Sequence, residues 1–566
     1  MERFKIFFKS LKFFLLIVNL IVVLWLVVTK NREIFLVNFV LISLFFISIF
    51  EILLTFIGGL RTKIYYFSIM SFVCFLFSLF FLISQEFFFG ELRIYFLGLS
   101  IDFFTEIFIF LLILLYFYRS FTPSSLFKKK LQLKPYTIIS FSFLFLITLG
   151  SILLYFPFSK TKVISYLDCL FTSASAVCVT GLSVIDVGND LTFFGKIILI
   201  TLIQLGGLGL MSFTALFSYL IGEKMSVFER ITIQNALSTD NLSVISRFTT
   251  FIVLITFLFE GVGAIIFFLR FKDIMPLNDA IFYSVFHSIS AFCNAGFSLW
   301  PDSFMRFRTD FLINVNLMTL IVIGGIGFPV LYNIYSILKG KEKRLTLHTK
   351  LVLITTVALI FFGSLVIFLL EYDNQLKDLK IYEKILASFF AAITPRTAGF
   401  NTIDYKFAKH ATLLFTCILM FIGASPGSTG GGIKTTSFAV ILMNTLNVLK
   451  DRKVVNLFKR EISFDSIRKS LVVFILSLNL ILLQSVLIVF LEPQFGLERV
   501  IFEVVSAFGT VGLSTGITPF LSSISKILII ITMFLGRVGT ITIIFSLGLS
   551  TKQILSKFPE ENIITG

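Results

Sequence analysis

The sequence predicts an all-α polytopic membrane protein in which four span–pore-loop–span repeats follow four extra N-terminal spans. Three observations carry that expectation. The 566 residues are 57% hydrophobic and only 14% charged, with a mean hydropathy of +0.99, which excludes a soluble domain. Apolar stretches of about twenty residues, enough to cross a bilayer, recur along the whole chain between charges, glycines and prolines. One short stretch also returns four times: SASAVCVTGL from Ser173, SISAFCNAGF from Ser288, FAAITPRTAGF from Phe390 and VSAFGTVGL from Val505. Each copy reads as a brief Ser/Ala-rich helix running into an extended piece whose glycine precedes a large apolar residue.

Residues 1–134 form the N-terminal module of four transmembrane helices, expected at Phe13 to Val28, Ile34 to Ile57, Ile64 to Ile83 and Ile101 to Tyr118. The basic-then-apolar start resembles a signal peptide. It lacks a small-residue cleavage site and more spans follow directly, so it reads as an uncleaved first helix. An even number of spans returns the chain to its starting side, and Arg3, Lys5, Lys9 and Lys12, then Arg61 and Lys63, then Lys128 to Lys130 and Lys134 mark that side as cytoplasmic. The same rule accounts for the net charge of +16 without nucleic acid. A peripheral lipid-facing or assembly role is expected for this module, a sensor coupled to the rest being the alternative; its acids are Glu51, Glu86, Glu91, Asp102 and Glu106. Five cysteines in apolar stretches fit no disulfide framework or metal spacing and read as inert core residues.

From Pro135 a longer unit repeats: a span, the short helix with its glycine strand, a second span and a basic loop. The period is roughly a hundred residues, too long for a solenoid. The copies occupy 135–245, 246–348, 349–465 and 466–566, the last including the C-terminal tail. The loops GEKMSVFER from Gly222, KGKEKRLTLHTK from Lys339 and KDRKVVNLFKREISFDSIRKS from Lys450 are basic and hence cytoplasmic. Both termini then lie inside, and all four glycine strands enter from outside and return outside, as re-entrant loops do.

Irregular backbone at membrane depth is tolerated where protein buries it or where it lines a watery path. Four strands around one axis could offer rings of carbonyls that replace the hydration shell of a bare monovalent cation. The candidate filter residues are Val179, Thr180 and Gly181; Asn294, Ala295 and Gly296; Thr397, Ala398 and Gly399; and Thr510, Val511 and Gly512. Glycine suits such a strand because turning a carbonyl to the centre often needs a backbone closed to residues with a Cβ. Thr180, Ala295, Ala398 and Val511 precede the glycines, so there is no ring of acids and a calcium-type filter is disfavoured. The short helices would aim their C-terminal ends, and hence negative potential, at the waiting cation. Close helix packing by small residues would explain one such run, but not four at a common place in a repeated hairpin.

In copy three the second span is interrupted by GASPGSTGGGIKTTS, residues 423–437. Each glycine costs a helix about 1 kcal/mol and proline about 3, so the helix must break there. A flexible loop at that place would lie across the path, and its candidate residues are Gly423, Ser425, Pro426, Gly427, Ser428, Thr429, Gly430, Gly431, Gly432 and Lys434; a kink without gating is the plainer alternative. The stretch nearly spells a P-loop, but Ile433 separates Gly432 from Lys434 and no α/β domain surrounds it, so an ATP-driven pump is disfavoured. Lys434 would cost roughly 2.5 to 3.5 kcal/mol unsolvated at the bilayer centre and should face water, carbonyls or an acid. Arg396 should stand behind the third filter strand, paired with an acid such as Glu503 or Asp404. Glu260 and Glu371 read as structural partners, as do His287, His348 and His410, which share no metal spacing.

SASAVCVTGLSVID, QLGGLGLMSF, SAFCNAGFSLW, GGIGFPVLYNI, ITPRTAGFNTID, GASPGSTGGGIKTTSF and SAFGTVGLSTGITP together resemble the Trk/Ktr/HKT superfamily of potassium uptake proteins, over roughly Pro135 to Gly566. The closing KFPEENIITG resembles the Ktr-type branch. The resemblance implies a pseudo-tetrameric, potassium-channel-like pore, a homodimer in the plasma (cell inner) membrane, and a cytoplasmic ring of nucleotide-binding regulatory subunits. It implies no enzyme activity and no covalently bound cofactor, with potassium held by the filter carbonyls and nucleotide met only through partner subunits. It gives the 423–437 loop the role of intramembrane gate and sets Arg537 beside it, where its charge raises the barrier to cations. Glycine in all four filters implies potassium selectivity, whereas serine in the first would imply sodium; a sodium-permeable or sodium-coupled transporter of the same fold is the alternative. A secondary transporter with broken helices would instead show inverted repeats, and these copies are parallel.

Overall fold

The chain divides into two compact units, Met1–Gln132 and Leu133–Gly566. The computed structural model describes residues 135–209, 245–452 and 454–539, with one antiparallel pair in the first unit, Tyr95–Phe96 against Leu99–Ser100. The four expected N-terminal spans, the Gly222 to Arg230 loop and the closing KFPEENIITG lie outside the described residues.

In the second unit the repeat is visible helix by helix. Copy one has α1 (Pro135–Tyr155), the short α2 (Tyr166–Val177) and α3 (Phe193–Leu208). Copy two has α4 (Ile245–Phe271), the short α5 (Leu277–Phe292), α6 (Phe311–Ile326) and α7 (Phe328–Leu338). Copy three has α8 (Leu347–Glu371), the short α9 (Ile381–Ile393), α10 (His410–Phe421) and α11 (Thr435–Val448). Copy four has α12 (Phe464–Leu491), the short α13 (Leu497–Gly509) and α14 (Ser523–Val538).

Helix starts follow the capping residues. Ser165, Thr192, Asp310, Thr346 and Ser522 each accept a backbone N–H three residues on, the Asp310–Ile313 bond being 3.1 Å. Each satisfies a donor that the helix leaves orphaned.

The outer faces of the long helices differ from those of a soluble protein. On α4, α8 and α12 the side chains of Phe257, Leu258, Phe361, Phe362, Leu483 and Phe490 are exposed, while Thr256, Thr356, Ser477 and Ser485 are buried. The buried faces of these helices also hold Phe267, Phe271, Ile367 and Ile488, and large apolar side chains on the outer faces suit helices that face lipid.

Among the described residues three helices are straight, long and apolar enough to cross a membrane: Phe248–Phe271, Leu347–Glu371 and Phe464–Leu491. These are the first spans of copies two, three and four. The second spans differ from the sequence expectation, which marked a break in copy three only. Copy two is broken as well, α6 and α7 meeting at 95°. The hinge is Gly327, with φ of 102° and so placed that a Cβ would meet the carbonyl of Pro426 at 2.6 Å.

The copies interlock in a closed cycle. The second helix of each packs on the short helix of the next: α3 on α5, α6 on α9, α10 on α13, and α14 back on α2. Glycines permit the closest approaches within copies one, two and four. A Cβ on Gly206, Gly324 or Gly536 would strike the carbonyl of Val177, Phe292 or Phe508 respectively, near the end of the short helix. Lys526 of α14 also reaches Asp168 of α2 at 2.7 Å, joining the last copy to the first.

Candidate functional site

The four short helices end around the four glycine strands, in which the two residues before each glycine are fully buried while Gly181, Gly296 and Gly512 are half-buried. Each strand turns back on its helix through one backbone bond: Thr180 N–H to Ser175 O and Ala295 N–H to Ser290 O, both 2.7 Å, Ala398 N–H to Thr394 O at 3.0 Å, and Val511 N–H to Ser506 O at 2.9 Å. Side-chain hydroxyls of those same four residues add a second bond. Ser175 and Ser506 accept from the N–H groups of Gly181 and Gly512, at 3.0 and 3.1 Å. Ser290 donates to Phe297 O at 2.8 Å, and Thr394 donates to Phe400 O. Sequence reading noted the Ser/Ala richness of these helices and missed this role; the signal was a hydroxyl five or six residues before every glycine.

Two residues of each strand hold left-handed backbone. The glycines have φ of 89° at Gly181, 70° at Gly296, 76° at Gly399 and 91° at Gly512. Two positions earlier, Val179, Asn294, Thr397 and Thr510 have φ of 57°, 58°, 75° and 49°. For the β-branched Val and Thr this conformation is costly, on the order of 1–3 kcal/mol each, and persists only where the surroundings impose it.

The glycines close a ring. A Cβ on Gly181 would strike the carbonyl of Ala295, one on Gly296 that of Ala398, one on Gly399 that of Val511, and one on Gly512 that of Thr180. Each copy thus abuts the next in chain order, and copies two and four face each other across the ring. Among the described residues no cluster of His, Cys, Asp or Glu could hold a metal ion.

The loop between α10 and α11 lies directly against three of these strands, those of copies two, three and four. Gly431 N–H donates to Thr510 Oγ1 at 3.0 Å, and Gly430 has no room for a Cβ beside the Thr397 hydroxyl. Asn294 of the second strand, with its amide turned to suit its neighbours, accepts from Thr429 Oγ1 at 3.3 Å. On its other side the loop bonds the hinge of copy two, through Ser425 N–H to Gly325 O at 3.0 Å and Phe328 N–H to Gly427 O at 2.9 Å. Internally Ile422 and Ile433 form a parallel bridge, Ser428 donates to Ser425 O at 2.6 Å, and Ser425 and Thr435 share a hydroxyl bond at 2.9 Å. Gly423 and Gly432 stack so closely that a Cβ on Gly423 would lie 3.0 Å from the Gly432 Cα.

Two cations meet this loop. Lys434 donates to Gly430 O at 2.8 Å. Arg537 of α14 donates to Thr429 O and, at 2.6 and 3.0 Å, to the carbonyls of Gly206 and Gly207 at the end of α3. Both charges are therefore met by carbonyl dipoles.

Arg396 does not find the acid expected for it. Its guanidinium reaches Thr356 of α8 at 3.3 Å. Glu503 is taken up by Ser514, Thr515 and Thr518, and Asp404 by the N–H of Lys406 at 2.9 Å. The acids serve hydroxyl and backbone donors that lie closer to them in sequence and need no long side chain to be ordered.

Glu371 accepts from Asn374 at 2.7 Å, from Lys409 N–H at 3.0 Å and from Thr412, tying the outer end of α8 to the start of α10. Glu260 accepts from Gln204 at 3.1 Å. His410 bonds Glu498 at 2.6 Å, and His287 is held by Tyr283, Ser298 and Leu299. Cys169, Cys178 and Cys293 are buried and unpaired with one another.

Apolar helices gathered around a ring of glycines and carbonyls define a membrane transport protein. The family model described as TrkH, cation transport protein, matches residues 102–552, and the chain belongs to that family. The match begins at the fourth expected span, which the resemblance by motif, taken from Pro135, had left outside. Among curated proteins, Ktr system potassium uptake protein B of Bacillus subtilis (strain 168) is 40% identical over 440 residues, 77% of this chain and 98% of the relative. The protein of the same name from Vibrio alginolyticus is 37% identical, covering 76% and 94%. Potassium/sodium uptake protein NtpJ of Enterococcus hirae is 36% identical, covering 77% and 98%. These relatives carry the names of transport proteins, not of enzymes. The crystal structure of the potassium transporter TrkH from Vibrio parahaemolyticus shares the fold, with a TM-score of 0.62 at 18% identity over 78% of this chain and 90% of that one.

Proposed function

We propose that this chain takes up potassium across the plasma membrane through a pore lined by its four glycine strands. The observation that carries the reading is the closed cycle in which each filter glycine abuts the carbonyl before the next one. Such a ring offers oxygen dipoles without acids, which suits a monovalent cation stripped of water. Val179 to Gly181, Asn294 to Gly296, Thr397 to Gly399 and Thr510 to Gly512 are the filter. The names of the relatives from Bacillus subtilis and Vibrio alginolyticus support potassium as the cargo.

The 423–437 loop acts as the gate. It touches the filter through Thr510, Thr397 and Asn294, and Arg537 holds it at Thr429 O. By family likeness the chain forms a homodimer, with both termini cytoplasmic, on a cytoplasmic ring of nucleotide-binding subunits. Sodium permeation on the same fold has the name of the Enterococcus hirae relative on its side and glycine at all four filter positions against it.

The test is the reversal potential of the purified, full-length protein in liposomes under opposed potassium and sodium gradients. A potential that follows potassium supports the reading, and equal permeation of both ions refutes its selectivity.

A further inference from the structure

His287 and Glu503 differ in chemistry but occupy one place in the repeat. Each lies nine residues before its filter glycine, His287 on α5 before Gly296 and Glu503 on α13 before Gly512. Each accepts the backbone N–H of the third residue after that glycine: Leu299 N–H reaches His287 Nε2 at 3.2 Å, and Thr515 N–H reaches Glu503 Oε1 at 3.1 Å. Each also meets the hydroxyl of the second residue after the glycine, Ser298 for His287 at 3.3 Å and Ser514 for Glu503. Thr518 adds a third bond to Glu503, at 3.0 Å.

The bonds fix the tautomer of His287. Its Nδ1 lies 2.7 Å from the carbonyl of Tyr283, which only accepts, so Nδ1 carries the proton and Nε2 is free to accept from Leu299. The ring is stacked on Trp300 with centroids 4.5 Å apart and edges onto Phe304, which fixes its orientation. The corresponding positions in copies one and three are Thr172 and Phe390. Thr172 turns its hydroxyl back to Asp168 O at 2.8 Å, and Phe390 has no acceptor.

The glycine ring places copies two and four opposite one another. We propose that His287 and Glu503 are a matched pair of positioning residues that hold the outer exits of the filter strands in two opposing quadrants, and thereby set its discrimination among monovalent cations. The proposal rests on the pore reading above. Neither side chain touches the ion; each fixes the strand that carries the carbonyls, through an amide a few residues beyond the glycine.

The test compares His287→Phe, Glu503→Leu and Glu503→Gln with the unsubstituted full-length protein in liposomes. Phenylalanine keeps the stack on Trp300 and removes the acceptor; glutamine keeps an oxygen for Thr515. Expected is a roughly tenfold or larger fall in the potassium-to-sodium permeability ratio for the first two, with flux retained, and a ratio within about twofold of the original for Glu503→Gln. Glu371→Gln, a buried acid that touches no filter strand, should leave the ratio unchanged. Where Glu503→Leu does not fold, Ser514→Ala, which removes a donor instead of the buried acid, replaces it with a smaller fall expected. Unaltered ratios in folded His287→Phe and in Glu503→Leu or its substitute would overturn the proposal, as would an equal fall in Glu371→Gln. Absence of potassium preference in the unsubstituted protein would refute the potassium selectivity of the pore reading, before any variant is compared.

Discussion

The Arg537 guanidinium donates to Thr429 O on the loop of copy three while holding Gly206 O of copy one at 2.6 Å, so one side chain from copy four clamps three copies together. Removing it leaves buried carbonyls without donors, a loss of about 1–3 kcal/mol from the arrangement seen here. Arg537→Ala should therefore raise flux, by about tenfold for each 1.4 kcal/mol lost. Rubidium uptake into liposomes measures this. Unchanged or lower flux in a folded variant would mean that the clamp does not hold a closed state.

The Thr510 hydroxyl accepts from Gly431 N–H at 3.0 Å and is one direct link from filter to loop. Thr510→Val keeps the β-branched shape and deletes that acceptor. It should raise flux less than Arg537→Ala does and leave the potassium-to-sodium ratio near its original value. A collapse of the ratio would show instead that the hydroxyl shapes the filter.

Gly181 has φ of 89°, and a Cβ there would strike the carbonyl of Ala295. Gly181→Ser must push that carbonyl outward or strain the strand by on the order of 1–3 kcal/mol. Bi-ionic reversal potentials should show a reduced preference for potassium. A potassium preference equal to that of the unsubstituted protein would contradict the ring geometry.

Gly206, Gly324 and Gly536 let second helices lie on the carbonyl ends of short helices. Alanine at any of them overpacks a close contact, at about 1–3 kcal/mol. The melting temperature in detergent should fall for each. A similar substitution at Gly261, which has open space around it, should change it little.

Glu371 satisfies donors from the end of α8 and the start of α10 and lies on no filter strand. Glu371→Gln turns an amide N–H₂ toward some of those donors and should destabilise the fold by about 1–3 kcal/mol. Thermal unfolding should reveal this while selectivity stays unchanged, which separates a structural acid from an ion ligand.

Much of the site was legible because repetition announces it. Four runs ending in glycine marked the strands, and Gly and Pro between 423 and 437 marked the break. The role of side chains two residues before the glycines was not legible. Asn294, Thr397 and Thr510 read as mere carriers of carbonyls, yet their polar groups meet the loop. Nor was the partner of Arg396 legible, because Glu503 and Asp404 are engaged by hydroxyl and backbone donors closer to them in sequence.

The stretch SASAVCVTGL and its three echoes determined, by themselves, that a small-residue helix precedes a glycine strand in each copy, since local backbone chemistry is written in neighbouring residues. Hydropathy likewise determined that the chain lives in a bilayer. Only the tertiary structure decided that Gly181 abuts Ala295, that copies two and four stand opposite, and that His287 and Glu503 each accept the N–H three residues beyond their glycine. Those relations join residues far apart in the chain, and close packing between helices, which no single stretch encodes, is what brings them together.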